Sequence, residues 1–282
     1  MPADRSVDIL SVGDRVRRGD YVIHSRFRRA VNFLGERGMV SLVAPVIGEG
    51  PFNIVLDHLP SDPGRRLRIT EEAIETAAWR LPRPRDRVYA SRPFFPAPAP
   101  QNLPGRLREL RRALLELSPD LSLAFLLDGN RAKRLKTALE RAFLNRIDQG
   151  VKTLLNGDLE KGVKTLKGVG FGLTPSGDDF LAGVLVGLNL RQSLEGSDLQ
   201  KIRYRIWSKA RGSNPLVNLF LDMARDFSLP RRLKELAETL GADEPAGVYS
   251  RASFWLRQGA TSPADLAAGI YLTLKEGEQL CS

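Results

Sequence analysis

Apolar positions in the first 70 residues fall in short runs: VDILSVGD (7–14), GDYVIHSRF (19–27), MVSLVAPVI (39–47), PFNIVLDHL (51–59) and RRLRIT (65–70). Gly, Asp and Pro separate these β-branched and apolar runs, a spacing that predicts the strands of a small barrel or sandwich. Residues 71–80 predict a helix. Pro82, Pro84, Pro93, Pro96, Pro98, Pro100 and Pro104 then crowd one stretch that can continue neither a helix nor a central strand. From Gly105 the period changes, and in LRELRRALLEL and RAKRLKTALERAFLNRI the apolar residues recur at three- and four-residue steps. The fold class is therefore α+β: a β-rich, barrel-like or sandwich-like N-terminal region (1–81), a proline-rich connector (82–104) and a mostly α-helical domain (105–282).

Helix starts are legible within the helical part. Ser213-Asn214-Pro215 and Ser262-Pro263 each place a capping side chain before a proline at the first helical position, and Gly241 ends a helix that begins near Leu229. The longest apolar run, 180–190, is too short for a membrane span and reads as a buried helix.

Composition changes this picture little. With 42% hydrophobic residues in 282, the chain can bury a core without covalent staples. Its one cysteine, Cys281, excludes an internal disulfide and a cysteine-based metal site, and MPADRSVDIL is no signal peptide, so the expected location is cytoplasmic, with no membrane partner. The net charge of +10 is spread among acids. Its denser stretches, 106–112 and 131–136, read as solvated helix faces without base-stacking aromatics, which favours a small anionic substrate over nucleic acid. His24 and His58 read as surface residues rather than bases, and Arg26, Arg28 and Arg29 are candidate anion contacts.

The candidate chemistry lies in GVGFGLTPSGDDFLAG (168–183). Gly168, Gly170 and Gly172 alternate, and Thr174, Pro175, Ser176 and Gly177 lead into Asp178-Asp179 at the head of an apolar helix. A glycine loop feeding a helix N-terminus is a natural anion site. It is not a Walker A loop, because Asp178-Asp179 stand where Lys and Ser or Thr belong, and it lacks the third glycine of the dinucleotide fingerprint. Ser176 and Asp179 have the spacing of a capping box, which leaves Asp178 and the glycines unexplained. Two carboxylates repel a bare phosphate. The ligand is therefore either bridged by Mg²⁺ on Asp178 and Asp179 or presents an amide or amine to them.

Near the C-terminus, GATSPADLAAG (259–269) repeats the skeleton G-x-T, then S-x-x-D-[FL]-x-A-G, so that Ser262, Asp265, Ala268 and Gly269 correspond to Ser176, Asp179, Ala182 and Gly183. The expectation is that the two helix starts converge on one ligand site containing Gly170, Gly172, Thr174, Ser176, Gly177, Asp178, Asp179, Thr261, Ser262 and Asp265, with an arginine at its rim.

On these two blocks the chain resembles the AllH-like family, which includes one subunit of bacterial oxamate carbamoyltransferase. Looser similarity runs through HSRFRRAVNF (24–33), GPFNIVLD (50–57) and SNPLVNLFL (213–221). The family's second block usually reads GHTSGxDxLAG, whereas Ala260 and Pro263 stand here for its histidine and second glycine. The resemblance implies carbamoyl transfer between oxamate and carbamoyl phosphate in purine degradation, alongside FdrA-like and AllG-like partner subunits. It leaves two other readings open: a free-standing Mg²⁺-dependent enzyme on a phosphorylated small molecule, and a non-catalytic scaffold subunit.

Overall fold

The computed structural model describes residues 7–95, 102–242, 247–277 and 280; Cys281 and the prolines at 96, 98 and 100 lie outside them. The chain divides into two compact units, one of residues 1–92 with 228–231, the other of residues 93–227 with 232–282. The first is a nine-stranded, curled half-barrel sheet and the second is helical, as the α+β class requires.

The strands are β1 (Ile9–Gly13), β2 (Gly19–Arg26), β3 (Ala30–Gly35), β4 (Gly38–Val43), β5 (Asn53–Leu56), β6 (Arg66–Ile69), β7 (Ala73–Glu75), β8 (Arg80–Pro82) and β9 (Val88–Tyr89). They are arranged in the order β8-β7-β6-β2-β3-β4-β5-β1-β9. Pairing is antiparallel except for β4 with β5 and β1 with β9. Phe33, Leu42, Ile54, Leu56, Leu67 and Ile74 are wholly buried on the inner face. Residues 228–231 join this unit through backbone: Leu229 N–H donates to Ser91 O at 2.9 Å, and Tyr89 Oη donates to Leu229 O at 2.9 Å.

The helix expected over 71–80 is not formed. Its residues supply β7 and the start of β8, because Thr70 Oγ1 accepts from Ala73 N at 2.9 Å and turns the chain back onto β6, where Ala73 and Ile74 are buried. Sheet pairing and burial outweigh the helical propensity of EEAIETAA. The sheet also enters the proline-rich stretch, where β8 ends on Pro82 and β9 follows.

The second unit carries α1 (Leu103–Leu117), a 3₁₀ turn (Leu123–Leu127), α2 (Gly129–Ala132), α3 (Ala138–Leu155), α4 (Leu159–Leu166), α5 (Ser176–Glu195), α6 (Gln200–Ala210), α7 (Pro215–Asp226), α8 (Arg231–Leu240), α9 (Val248–Leu256) and α10 (Ser262–Glu276). Asn214 caps α7, accepting from Leu216 N at 3.0 Å, and α8 stops before Gly241. None of the described helices is long and apolar enough to cross a membrane.

The helix α5 is buried on every side from Ser176 to Arg191, and α10 from Pro263 to Leu274. They pack in parallel along their small residues. A Cβ on Gly183 would stand 2.0 Å from Leu266 O, and one on Gly269 would stand 2.3 Å from Phe180 O. Leu266 and Gly269 are the repeat counterparts of Phe180 and Gly183, so the contact is reciprocal: each glycine admits the backbone of the other copy. Substitution here cannot be relieved by moving a side chain, because the obstacle is main chain. Gly183→Ala is therefore expected to destabilise by about 3 kcal/mol through overpacking. Gly129→Ala, whose Cβ meets nothing within 4 Å, should leave the melting temperature nearly unchanged. Equal melting temperatures for the two variants would contradict the close backbone approach.

Candidate functional site

Parallel packing brings the first turns of α5 and α10 together. Thr174 Oγ1 donates to Asp179 Oδ2 at 3.0 Å and lies 2.8 Å from Ser262 Oγ. A hydroxyl has one proton to give. If Thr174 gives its proton to Asp179, Ser262 must donate to Thr174, and a relay runs from α10 through the loop to α5.

Neither the expected capping box of Ser176 and Asp179 nor the expected Ser262 cap is formed. Pro175 is the N-cap of α5 and Thr261 that of α10, and neither helix start carries a side-chain cap bond. Ser176 and Ser262 instead sit inside their helices and serve the opposite copy: the Ser176 hydroxyl lies against Asp265, and the Ser262 hydroxyl against Asp179. A carboxyl facing across the helix pair is unavailable to its own backbone, which is why local spacing misassigned it. A true capping box occurs at α3, where Thr137 and Glu140 exchange hydrogen bonds with each other's backbone N–H groups.

Asp178 also has a different account from the one sequence left open. Both of its oxygens accept from Gly168 N–H, at 3.1 and 3.2 Å, so the side chain ties the start of the glycine loop to α5. Along that loop, Gly170 has φ +131° and a Cβ on it would reach 2.4 Å from Ser176 N; Gly172 has φ +94°. Only glycine fits Gly170, for conformation and space together. Gly177 N–H donates to Val169 O at 2.8 Å, and the N–H groups of Asp178 and Asp179 share Pro175 O. The first turn of α5 thus spends much of its donor capacity internally, and hydroxyls and carboxyls carry most of what remains.

The three aspartates are all buried, Asp265 completely. Burial pushes Asp178 above the usual carboxylate range, against the Gly168 N–H and the nearby Lys167 ammonium. Burial pushes Asp179 up to about 8; the Ser262 and Thr174 hydroxyls oppose this, while the charges of Asp265 and Asp178 add to it. Burial likewise pushes Asp265 up to about 7, opposed chiefly by Leu123 N–H, which donates to Oδ1 at 2.6 Å. The Ser176 and Thr261 hydroxyls also oppose it, yet Asp265 Oδ2 has no partner of hydrogen-bond geometry.

A cation beside Asp178 is Lys167. It precedes the glycine loop and donates to Lys209 O at 3.1 Å and to Arg211 O. Asn214, the α7 cap, also fastens the loop, donating to Leu173 O at 2.9 Å. Sequence reading missed Lys167, although it adjoins the loop, and read Asn214 only as a cap, not as a fastener of the loop. His24, His58, Arg26, Arg28 and Arg29 belong to the sheet unit; Arg26 donates to Ser61 O at 2.9 Å, and His58 pairs with Asp57 at 3.0 Å.

Of Asp178 and Asp179, the expected Mg²⁺ ligands, the first accepts from Gly168 N–H and the second from the Thr174 hydroxyl. Among the described residues, no group of three or more His, Cys, Asp or Glu is placed to hold a metal ion. What the arrangement provides is a glycine loop, two parallel helix starts and two buried acids, each with hydroxyls beside it.

Comparison with known proteins falls on this same region. Residues 166–274, from the end of α4 into α10, match the family model described as oxamate carbamoyltransferase subunit AllH. The resemblance read from GLTPSGDDFLAG and GATSPADLAAG is thereby borne out; the segment at 213–221 also lies within the match, while those at 24–33 and 50–57 lie outside it. No curated protein and no solved structure matches the chain.

The acid pair makes stability depend on pH. Unfolded aspartates lose their protons near pH 4, so between about pH 4 and 8 the folded chain holds more protons than the unfolded one and stability falls as pH rises. Asp179→Asn keeps an acceptor for Thr174 and removes the charge. At pH 8 it is expected to stabilise the chain, by on the order of 2 kcal/mol, with the gain shrinking towards pH 4. Thermal unfolding across this range is the check. A loss of stability at pH 8 would mean that the ionised carboxylate is fully accommodated.

Proposed function

We propose that this chain is a subunit of an oxamate carbamoyltransferase-like enzyme and that the joined helix starts of α5 and α10 hold its small anionic ligand. The observation that carries the reading is the meeting, inside the family-matched segment, of two repeat-related N-termini through Thr174 and Ser262. Both helix dipoles present their positive ends there, which favours an anion. Oxamate and carbamoyl phosphate are anions that also carry an amide, and an amide suits a site with hydroxyl donors and a carboxyl acceptor.

Carbamoyl transfer asks a protein mainly for position and charge stabilisation. The carbonyl carbon exchanges its bond to a phosphate oxygen for one to an amide nitrogen, and that nitrogen gives up a proton. The hydroxyls of Thr174, Ser176, Thr261 and Ser262 supply donors, with Gly170, Gly172 and Gly177 shaping the loop and Asp178 holding it. FdrA-like and AllG-like subunits supply the remainder of the enzyme.

Isothermal titration of the full chain with oxamate tests this. Binding is expected, and Ser262→Ala should weaken it at least tenfold while the melting temperature stays within a few degrees, because the relay is broken without opening a cavity. Absence of oxamate binding, or binding indifferent to Ser262→Ala and Thr174→Val alike, would overturn the assignment of the ligand to this place. Turnover of a phosphorylated small molecule by the isolated chain with Mg²⁺ would point to a free-standing enzyme. Full activity of an assembled complex carrying both substitutions would point to a scaffold.

A further inference from the structure

We propose that a cavity lined by α6 and the end of α7 is a second anion site, fitted to a nucleoside diphosphate. The cavity has a volume of about 670 Å³, and its lining includes Lys201, Arg203, Tyr204, Arg205, Arg225 and Asp226. That volume lies within the range of small-molecule sites, roughly 300–1,000 Å³. None of these residues belongs to the glycine loop or to the joined helix starts, so the proposal stands independently of the ligand site above.

Most of the charge comes from α6. Lys201 and Arg205 are exposed and lie one helical turn apart, and Tyr204 falls beside them at a spacing that keeps all three on one side of the helix. Arg203 is only 9% exposed, and its Nη1 donates to a neutral partner, Gln192 Oε1, at 2.7 Å. Burial weakens its hold on the proton, against the charge of Asp198. Lys201, Arg203 and Arg205 make no ion pair among the described residues. A guanidinium held this deep on a neutral partner is stabilised by any anion that enters beside it.

The end of α7 supplies a fixed wall. Arg225 lies over the Trp207 ring, 4.0 Å from its centroid, and its Nε donates to Asp226 Oδ1 at 2.7 Å. Trp207 is itself held, its Nε1 donating to Asp222 Oδ1 at 2.7 Å. Arg225 and Asp226 thus cancel as an ion pair, which leaves the positive charges of Lys201, Arg203 and Arg205 to be met by a ligand. A diphosphate ester carries about three negative charges at neutral pH and matches them, whereas a monophosphate carries about two. Tyr204 adds the preference for a ring. It is 60% exposed, and its ring stands 5.5 Å from that of Trp207. Bases stack on such exposed rings while neighbouring cations take the phosphates.

Isothermal titration of the full chain with ADP in a chelating buffer is the test, with AMP and pyrophosphate as comparisons. ADP is expected to bind once per chain, about tenfold more tightly than AMP, because the third charge is met, and about fivefold more tightly than pyrophosphate, because the ring is held. Lys201→Gln and Arg205→Gln should each weaken ADP about tenfold, and Tyr204→Ala should weaken ADP about fivefold while leaving pyrophosphate unchanged. All three side chains are exposed, so the variants are expected to melt with the parent chain. No ADP binding, or ADP binding that survives both Lys201→Gln and Arg205→Gln, would overturn the site. ADP binding lost in Ser262→Ala but kept in Arg205→Gln would place the nucleotide at the helix starts and equally overturn it. Pyrophosphate binding as tightly as ADP, with Tyr204→Ala without effect on either, would overturn the assignment to a nucleotide.

Discussion

The helical unit depends on one contact, the backbone-to-backbone approach of α5 and α10. Gly183 and Gly269 make it, each lacking the one carbon that would collide with a carbonyl of the other helix. Because the same sequence pattern appears on both sides, the contact is self-complementary in the manner of an isologous interface, here within one chain. Equivalent residues must then lie side by side, so two helix starts far apart in sequence share one place.

That constraint explains the electrostatics. Parallel neighbours put two positive dipole ends together, an arrangement that favours negative charge at their heads. Burial opposes this, since a carboxylate removed from water is expensive unless it is paired. The outcome is a compromise in which hydroxyls stand beside each acid and protonation is shifted towards neutral pH.

Much of this was legible in the sequence, and the failures share a cause. The change of hydrophobic period located the helical part, and the two S-x-x-D blocks with their Ala-Gly pairs correctly placed α5 against α10. Where reading stayed local it erred. Ser176 with Asp179 and Ser262 with Asp265 have the spacing of caps, but their partners lie across the helix pair. Asp178 looked free because its partner, the N–H of Gly168, is a main-chain group that no side-chain pattern records. Residues 71–80 were given to a helix because pairing with β6 is a property of the sheet rather than of the segment. Lys167 and the loop contact of Asn214 went unnoticed for the same reason: each acts on carbonyls that only the fold brings near.

The central claim is that the repeated helix starts together form the ligand site. Amide chemical-shift mapping of the full, isotope-labelled chain during oxamate addition addresses it directly. The account predicts shifts concentrated in two separate stretches, 168–179 and 261–266, that move with the same saturation curve. Shifts confined to one stretch, or centred on the arginine-rich strands of the sheet unit, would contradict it.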